Sequence, residues 1–251
     1  METSITFKKN RINLLNIPVD ILKQEDLENA VRSMFSDNMV HQIVLLSLHD
    51  FMKARRNPKL KGCLQKATLV LPISAGIVRG ARFLEREPPI RYMPFDFVIK
   101  LLCVLEKYNK SVYLLGSKKE HLQIAENNLR TSFPGLKIIG RFAGYYQRYK
   151  DKDIILAIKK ASPTLLLAGN GIYGKDLWIF ENRNQFNPGI FLWCGGCFEI
   201  FAGKKNKTSR VLWEKGLDFL PEFIKKPWRI YRLFIYFYYV LQLIISRIRG
   251  L

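Results

Sequence analysis

Glycine residues gather in short loops that follow apolar segments of this chain. Gly116-Ser117, Gly169-Asn170-Gly171 and Gly195-Gly196 each come directly after an apolar run, and Gly76 closes a fourth such loop. Glycine lets the backbone approach a ligand closely, and free N–H groups at the start of a following helix can hold a phosphate. Together the loops predict a nucleotide-type site, although any single one is better explained as a plain turn. The sequence has no P-loop and no GxGxxG pattern.

Short apolar segments alternate with helical patterns along most of the chain. This alternation predicts an α/β fold, with a Rossmann-like parallel sheet covered by helices on both faces. The predicted strands cover residues 42–48, 67–72, 111–115, 136–139, 164–167 and 190–193, after an opening strand or hairpin arm at 12–19. The predicted helices cover residues 23–36, 50–65, 95–109, 120–133, 152–161 and 176–184. Ligands bind beyond the carboxyl ends of parallel strands, so the glycine loops and residues 47–49 are expected at one sheet edge.

The last 24 residues, WRIYRLFIYFYYVLQLIISRIRGL, carry a different pattern. Between residues 233 and 245 only Gln242 is not apolar, and Arg229, Arg232, Arg247 and Arg249 flank the run. A helix formed by the apolar run alone is about 20 Å long, which is less than the roughly 30 Å thickness of the hydrocarbon core of a bilayer. We therefore expect the tail to lie in the membrane interface; the alternative is a helix that docks on a partner or on a second copy of the chain. The predicted domains are an α/β domain at residues 1–202 and a C-terminal helical, membrane-associating appendage at residues 203–251.

The charge and the cysteines of the chain restrict its partners. The net charge is +20 and the pI is near 9.9, which favours nucleic acid, anionic lipid or phosphorylated substrates. From residue 203 onward there are eleven Lys/Arg and three Asp/Glu, which favours an anionic membrane surface, and no nucleic-acid module is recognisable. No signal-peptide core is found near the N-terminus, so we expect the cytoplasm. The lone Cys194-Gly-Gly-Cys197 lacks a second ligand pair, so no metal site is predicted.

Further short motifs follow one another in order along residues 11–232. They are Leu114-Leu115-Gly116, Phe133-Pro134-Gly135-Leu136, Gly144-Tyr145-Tyr146, Ala168-Gly169-Asn170-Gly171, Trp178-Ile179, Asn182, Gly195-Gly196-Cys197-Phe198-Glu199, Ala202-Gly203-Lys204, Lys225, Pro227, Arg229 and Arg232. This order resembles the WecG/TagA/CpsF glycosyltransferase family. The resemblance implies transfer of an N-acetylmannosamine-type sugar from a UDP-sugar to a polyprenyl-diphosphate-linked sugar, at the cytoplasmic membrane face. It also implies an inverting reaction without metal or other cofactor, and an appendage that binds the membrane and completes the active site.

The chain departs from the family pattern where the chemistry is expected. The Asp-Gly pair that supplies the family's proposed base is Ile73-Ser74 here, and the Thr-x-Asn loop is Ser47-Leu48-His49. The glutamine of the Pro-Lys-Gln-Glu motif is Lys175, and one family arginine of the appendage is Glu222. Isoleucine cannot accept a proton from an attacking hydroxyl, so the family's base is missing from its usual position.

The resemblance implies a set of site residues by position. Catalytic roles fall on Ser47, His49 and Asp96, with Asp50 as a further candidate for the replacement base. Contacts to the donor fall on Arg91, Gly116, Asn170, Gly171, Lys175, Gly195, Gly196, Glu199, Arg229 and Arg232. Simpler roles stay open for some of them: a solvated loop histidine, a helix N-cap for Asp96, a left-handed turn for Asn170 and a helix N-terminal acid for Glu199.

Two hypotheses about activity follow from these departures. In the first, the chain is an active, divergent transferase whose partners are a nucleotide-sugar donor, a polyprenyl-linked acceptor and the inner membrane surface. In the second, it is a pseudoenzyme that keeps the fold and assists another glycosyltransferase. A basic RNA-binding protein is a third, weaker alternative, and a homo-oligomer is possible under either of the first two.

Overall fold

The computed structural model describes residues 10–218 and 231–250. In this part of the chain the strands β1 to β8 cover Asn10–Leu14, Ile17–Ile21, Val40–Leu46, Leu69–Pro72, Ser111–Leu115, Lys137–Phe142, Leu165–Ala168 and Gly189–Trp193. Strands β3 to β8 form one parallel sheet in the order β4-β3-β8-β7-β5-β6. The predicted α/β class and parallel sheet are therefore confirmed.

The carboxyl ends of three central strands lie level with one another. Leu115 at the end of β5 pairs with Ala168 at the end of β7, and Ala168 pairs with Trp193 at the end of β8. Leu115 also pairs with Phe142, the last residue of β6. The segments that follow these four strands therefore begin at the same edge of the sheet, as the pattern of glycines predicts.

The opening segment is a hairpin rather than one strand. Strands β1 and β2 pair in antiparallel register and form a separate two-stranded sheet. Leu15 and Asn16 connect them with φ values of 48° and 65°. Positive φ at both central residues is typical of the two-residue hairpin turn whose twist matches that of the strands.

Helices fill most of the intervals between the strands. Among the described residues, α1 to α11 cover Leu27–Ser36, Leu48–Ala54, Pro58–Lys66, Ala75–Phe83, Pro94–Lys107, Lys119–Ser132, Asp151–Ala161, Asp176–Asn182, Cys197–Phe201, Arg210–Glu214 and Tyr231–Ile248. Short 3-10 turns occur at Arg148–Lys150 and Arg183–Gln185.

The single helix predicted at residues 50–65 is wrong, because the chain breaks there into α2 and α3. Asn57 adopts an extended backbone and its side chain accepts a hydrogen bond from the N–H of Leu60. Pro58 then occupies the first turn of α3. Proline disfavours the helical region for the residue before it and cannot continue a helix by hydrogen bonding, so it starts the new helix.

The chain divides into two compact units. The first contains residues 23–44 and 94–206, and its interior includes a cluster formed by strands β5, β7 and β8 with helices α7 and α8. The second contains residues 10–22, 45–93 and the described residues after 206. The predicted division at residues 202/203 stays a prediction.

Helix α11 packs inside the second unit through one face. Tyr239 is 1% exposed, lies 5.6 Å edge-on from the ring of Phe51 in α2, and donates its hydroxyl hydrogen to the carbonyl of Gly76 in α4. Gln242 accepts a hydrogen bond from Arg55, and Arg247 pairs with Glu85. One face of the tail therefore binds its own unit.

The opposite face of α11 stays apolar and exposed. Phe234 and Phe237 are 73% and 68% exposed, and Leu241 and Ile248 are exposed on the same helix. Within the described residues, no helix has both the length and the apolar character to traverse a bilayer.

Candidate functional site

Backbone hydrogen bonds join the loops that follow β5, β6, β7 and β8, all within the first unit. The N–H of Asn170 donates to the carbonyl of Gly195, and the N–H of Ser117 donates to the carbonyl of Asn170. The N–H of Gly144 in turn donates to the carbonyl of Ser117. The structure thus brings together three of the four glycine loops that the sequence singles out; the fourth, closed by Gly76, lies in the second unit.

Two glycines allow these loops to nest so closely. Gly116 has a φ of +126°, and a Cβ atom there would lie 2.8 Å from the N atom of Gly169. A Cβ atom on Gly144 would lie 2.6 Å from the carbonyl oxygen of Asn170. Any side chain at either position would push the loops apart.

Glu199 connects two of the loops through its carboxylate. One carboxylate oxygen accepts a hydrogen bond from the hydroxyl of Ser117 at 2.8 Å, and the other accepts from the Asn170 amide at 3.3 Å. Ser117 is fully buried, whereas Glu199 is only partly buried. Asn170 stands in a turn, but Gly171 and not Asn170 has the positive φ, so the explanation of Asn170 as a left-handed residue is wrong. Sequence reasoning noted the Gly116-Ser117 loop but gave Ser117 no role.

Three polar side chains surround the Cα of Gly196 and form a group that we call the polar cradle. A Cβ atom at Gly196 would meet the Asn170 amide nitrogen, a Glu199 carboxylate oxygen and the Lys205 ammonium nitrogen, each at 3.4 Å. The cradle thus contains hydrogen-bond donors, an acceptor and a positive charge. Such a mixture can bind the hydroxyls and phosphates of a nucleotide. Lys205 was not among the predicted site residues; its place in a basic run, residues 204–210, was the available signal.

Aromatic side chains and a second cation lie on the rim formed by the same loops. Tyr145 is exposed, and its N–H donates to the carbonyl of Gly171. The Lys175 ammonium group lies 4.9 Å from the centre of the Trp193 ring. Gly171 and Lys175, both predicted to contact a donor, therefore border the nested loops.

The predicted catalytic pair Ser47 and His49 forms a cluster with Asp50 in the second unit. Ser47 caps α2: its hydroxyl accepts from the N–H of Asp50 and donates to the Asp50 carboxylate at 2.6 Å. The Nδ1 atom of His49 lies 3.6 Å from the other Asp50 carboxylate oxygen, and the imidazole is exposed. Asp50 can therefore orient the imidazole of His49, while the other imidazole nitrogen remains for a ligand.

Arg91 is largely enclosed by its own unit. Its guanidinium group donates to the carbonyl of Ile73 at 2.9 Å, to the carbonyl of Trp213 and to the carboxylate of Asp218 at 2.5 Å. It also lies 4.6 Å from the centre of the Trp213 ring, and its side chain is 11% exposed. Arg91 thus fixes the backbone of Ile73, the residue predicted to stand in place of the family's aspartate.

Of the remaining predicted site residues, the structure describes only the side chain of Asp96. Asp96 is the exposed third residue of α5 in the first unit, so it is an acid of the first turn and not the N-cap. Arg229 and the side chain of Arg232 lie outside the described part of the chain.

The Cys194-Gly-Gly-Cys197 segment follows β8 beside the nested loops. Both cysteines are buried, and burial together with the hydrogen bond to Cys197 raises the pKa of the Cys194 thiol well above its usual value. The thiol form is therefore favoured at neutral pH. No group of three or more His, Cys, Asp or Glu side chains capable of holding a metal ion is found in residues 10–218 and 231–250.

A parallel sheet with helices and with nested glycine loops at its carboxyl edge defines an α/β protein of the Rossmann-like class. Residues 12–250 match the model of the glycosyl transferase WecG/TagA/CpsF family. The chain belongs to this family.

Curated relatives are similar to the chain at low sequence identity. One from Bacillus subtilis is 25% identical over 167 residues, covering 66% of this chain and 64% of the relative. One from Staphylococcus aureus strain MW2 is 19% identical over 225 residues, covering 89% of this chain and 88% of the relative. Both are named N-acetylglucosaminyldiphosphoundecaprenol N-acetyl-beta-D-mannosaminyltransferase. The match to the Bacillus subtilis protein thus spans slightly less than two thirds of that protein's length.

Proposed function

We propose that this chain is an inverting glycosyltransferase. It transfers an N-acetylhexosamine-type, N-acetylmannosamine-like sugar from a UDP-sugar to a polyprenyl-diphosphate-linked sugar. The observation that carries the proposal is the nested loop group with the Glu199, Ser117 and Asn170 cluster, in a chain whose family match covers residues 12–250. The names of the relatives supply the sugar and the acceptor.

The donor binds at the loops of the first unit. The polar cradle at Gly196 takes the polar part of the nucleotide, and the Glu199 carboxylate accepts hydrogen bonds from ribose or base. Lys205 and Lys175 supply positive charge to the diphosphate that leaves. The site needs no metal in this scheme, because these cations stabilise the leaving group.

His49 accepts the proton of the acceptor hydroxyl. The hydroxyl oxygen forms the new bond to the anomeric carbon of the sugar as the bond from that carbon to the UDP oxygen breaks, and UDP leaves with the electron pair. Attack from the face opposite UDP inverts the anomeric configuration. The support is geometric: Asp50 lies 3.6 Å from one imidazole nitrogen and can stabilise the imidazolium that forms.

The protein works at the inner face of the cell membrane as a peripheral protein. The exposed apolar face of α11 supports this, because Phe234, Phe237, Leu241 and Ile248 lie on one side of an amphipathic helix. The eleven Lys/Arg after residue 202 add attraction to anionic headgroups.

A pseudoenzyme that assists another transferase is the second candidate. The observation that favours it is Ile73 in place of the family's aspartate, with Arg91 bound to the Ile73 carbonyl. An arginine whose donors are already engaged contributes less to a bound diphosphate.

The test combines binding and turnover on the full-length protein in lipid vesicles. UDP should raise the melting temperature, and a panel of UDP-N-acetylhexosamines should be transferred to a prenyl-diphosphate-linked N-acetylglucosamine acceptor. UDP stabilisation without transfer by the unmodified chain, together with transfer by Ile73→Asp, would establish the pseudoenzyme. A chain that no nucleotide stabilises would contradict both candidates.

A further inference from the structure

A groove of about 580 Å³ lies between α2 and the N-terminal half of α11, both in the second unit. One wall carries His49, Lys53 and Arg56 at successive helical turns of α2 and the residues after it. The other wall carries Phe234, Ile235 and Tyr238 of α11. Met52 and Asn57 complete the described lining. The volume falls within the usual range of small-molecule sites, about 300–1,000 Å³.

The two walls differ in chemistry. Lys53 and Arg56 are exposed cations, and the described lining contains no carboxylate. The Arg56 guanidinium lies 4.7 Å from the centre of the Tyr238 ring and lowers the pKa of its hydroxyl by hydrogen bonding. Across the groove, Phe234 presents a largely exposed ring. A ligand that fits both walls joins a strongly anionic group to a hydrocarbon chain.

The position of His49 selects among such ligands. His49 belongs both to the groove lining and to the Ser47–Asp50 cluster at the start of α2. A bulk phospholipid does not react, so its headgroup gains nothing from a nearby base. A lipid-linked substrate, in contrast, must place its reacting hydroxyl near a base such as His49. The charge also favours a diphosphate, because two cations lie about one helical turn apart.

We propose that this groove binds the prenyl-diphosphate part of the acceptor. Lys53 and Arg56 contact the diphosphate, and Phe234, Ile235 and Tyr238 contact the first prenyl units. This inference rests on the proposed function for the identity of the acceptor, but the groove itself can be tested by binding alone.

The experiment measures binding of farnesyl diphosphate to the full chain by calorimetry, without donor. Inorganic pyrophosphate matches only the cationic wall and farnesol only the apolar wall, so each should bind at least about tenfold more weakly than farnesyl diphosphate. The double variant Lys53→Gln/Arg56→Gln should weaken farnesyl diphosphate binding by about tenfold or more. Phe234→Ala should weaken farnesyl diphosphate but leave pyrophosphate unchanged. Lys159→Gln/Lys160→Gln, which removes the same charge from α7, is the matched control and should bind as the unmodified chain does.

The outcomes separate this inference from the proposed function. Equal affinity for farnesyl diphosphate in the double variant and the unmodified chain would overturn the groove assignment. Binding of a short-chain phosphatidylglycerol as tightly as farnesyl diphosphate would overturn it in favour of a phospholipid site. In the transferase assay, the double variant should raise the KM for the acceptor while UDP stabilisation stays unchanged. A chain without transferase activity that still binds farnesyl diphosphate through Lys53 and Arg56 would keep the groove and reject the proposed function.

Discussion

At the scale of single residues, Glu199 is the side chain that joins two of the nested loops and is proposed to contact the donor. Its carboxylate accepts hydrogen bonds from Ser117 and Asn170, so it both holds the loops together and presents negative charge to the cradle. Hydrogen bonds to a charged acceptor contribute about 1.5–3 kcal/mol each. Loss of that charge should therefore be measurable in nucleotide affinity.

We expect Glu199→Gln to weaken UDP binding by about 10- to 100-fold, because an amide oxygen cannot serve both loop donors and the ligand as strongly as a carboxylate. Calorimetric titration with UDP measures the change. Glu120→Gln, an exposed acid in the first turn of α6, is the matched control. Unchanged affinity in Glu199→Gln would remove Glu199 from the donor site.

His49→Ala should lower kcat by about 10²- to 10⁴-fold, the usual contribution of a general base. UDP affinity should not change, because the imidazole lies in the cluster of α2 and acts on the acceptor. Steady-state kinetics at saturating acceptor provide the measurement. Asp96→Asn is the comparison: if it causes the loss and His49→Ala does not, the base is Asp96.

Part of the site could be predicted from residue type alone. Glycine marks the nested loops because a side chain at Gly116 would collide with the next loop, so this position could be found from the sequence. The engagement of Arg91 could not be found in that way. Its partners Trp213 and Asp218 lie more than a hundred positions along the chain, and only the fold brings them to the guanidinium group.

At the scale of secondary structure, the contact of α11 with α4 sets the position of the tail. Gly80 in α4 faces the Tyr239 side chain, and a Cβ atom at Gly80 would lie 1.9 Å from the Tyr239 hydroxyl oxygen. The helices can approach at this point only because Gly80 has no side chain. Substitutions at this contact therefore test whether α11 packs on α4 through Tyr239.

Gly80→Ala should destabilise the protein by about 1–3 kcal/mol through overpacking. Tyr239→Phe removes the hydroxyl that meets the new methyl group, and alone it should cost about 1 kcal/mol for the lost hydrogen bond to Gly76. The double variant should be more stable than the sum of the two effects predicts. Chemical denaturation measures all three free energies of unfolding, and strict additivity would contradict the described contact.

Element boundaries were predictable where local chemistry sets them. Strand Ser111–Leu115 was predicted with its observed bounds, because a short apolar run between polar residues leaves little choice. The break between α2 and α3 carried a signal too, Asn57 before Pro58, which the helical pattern of residues 50–65 concealed. The packing of α11 against α2 and α4 has no signal in the sequence, because an apolar helix face has the same composition whether it contacts protein or lipid.

At the scale of the whole molecule, the proposed membrane binding combines two contributions, the net charge and the exposed apolar face of α11. The charge of +20 favours anionic surfaces over distance, and this attraction is screened by salt. The apolar face acts only on contact. The two contributions can therefore be separated by experiment.

Phe237→Asp/Leu241→Asp should reduce binding to vesicles containing phosphatidylglycerol by about tenfold or more, because each apolar side chain contributes about 1.5–3 kcal/mol when buried. Flotation at low and high salt measures the bound fraction. Leu156→Asp, at an exposed apolar position of α7, is the control. Binding that survives the double substitution but disappears in high salt would leave charge as the sole attraction.

Deleting the whole tail would be a poorer test, because it also removes the buried ring of Tyr239.

The anchoring of α11 on its own unit has a consequence for the energetics of membrane binding. Many amphipathic segments are disordered in water, and they lose conformational entropy when they fold on a bilayer. Here Tyr239, Gln242 and Arg247 already hold the helix through contacts with α2, α4 and the residues that follow them. The exposed face is thus preorganised, so vesicles should leave the far-ultraviolet circular dichroism of the protein unchanged. Under the proposed function, such a protein leaves the bilayer and returns to it as a folded body, reaching one lipid-linked acceptor after another.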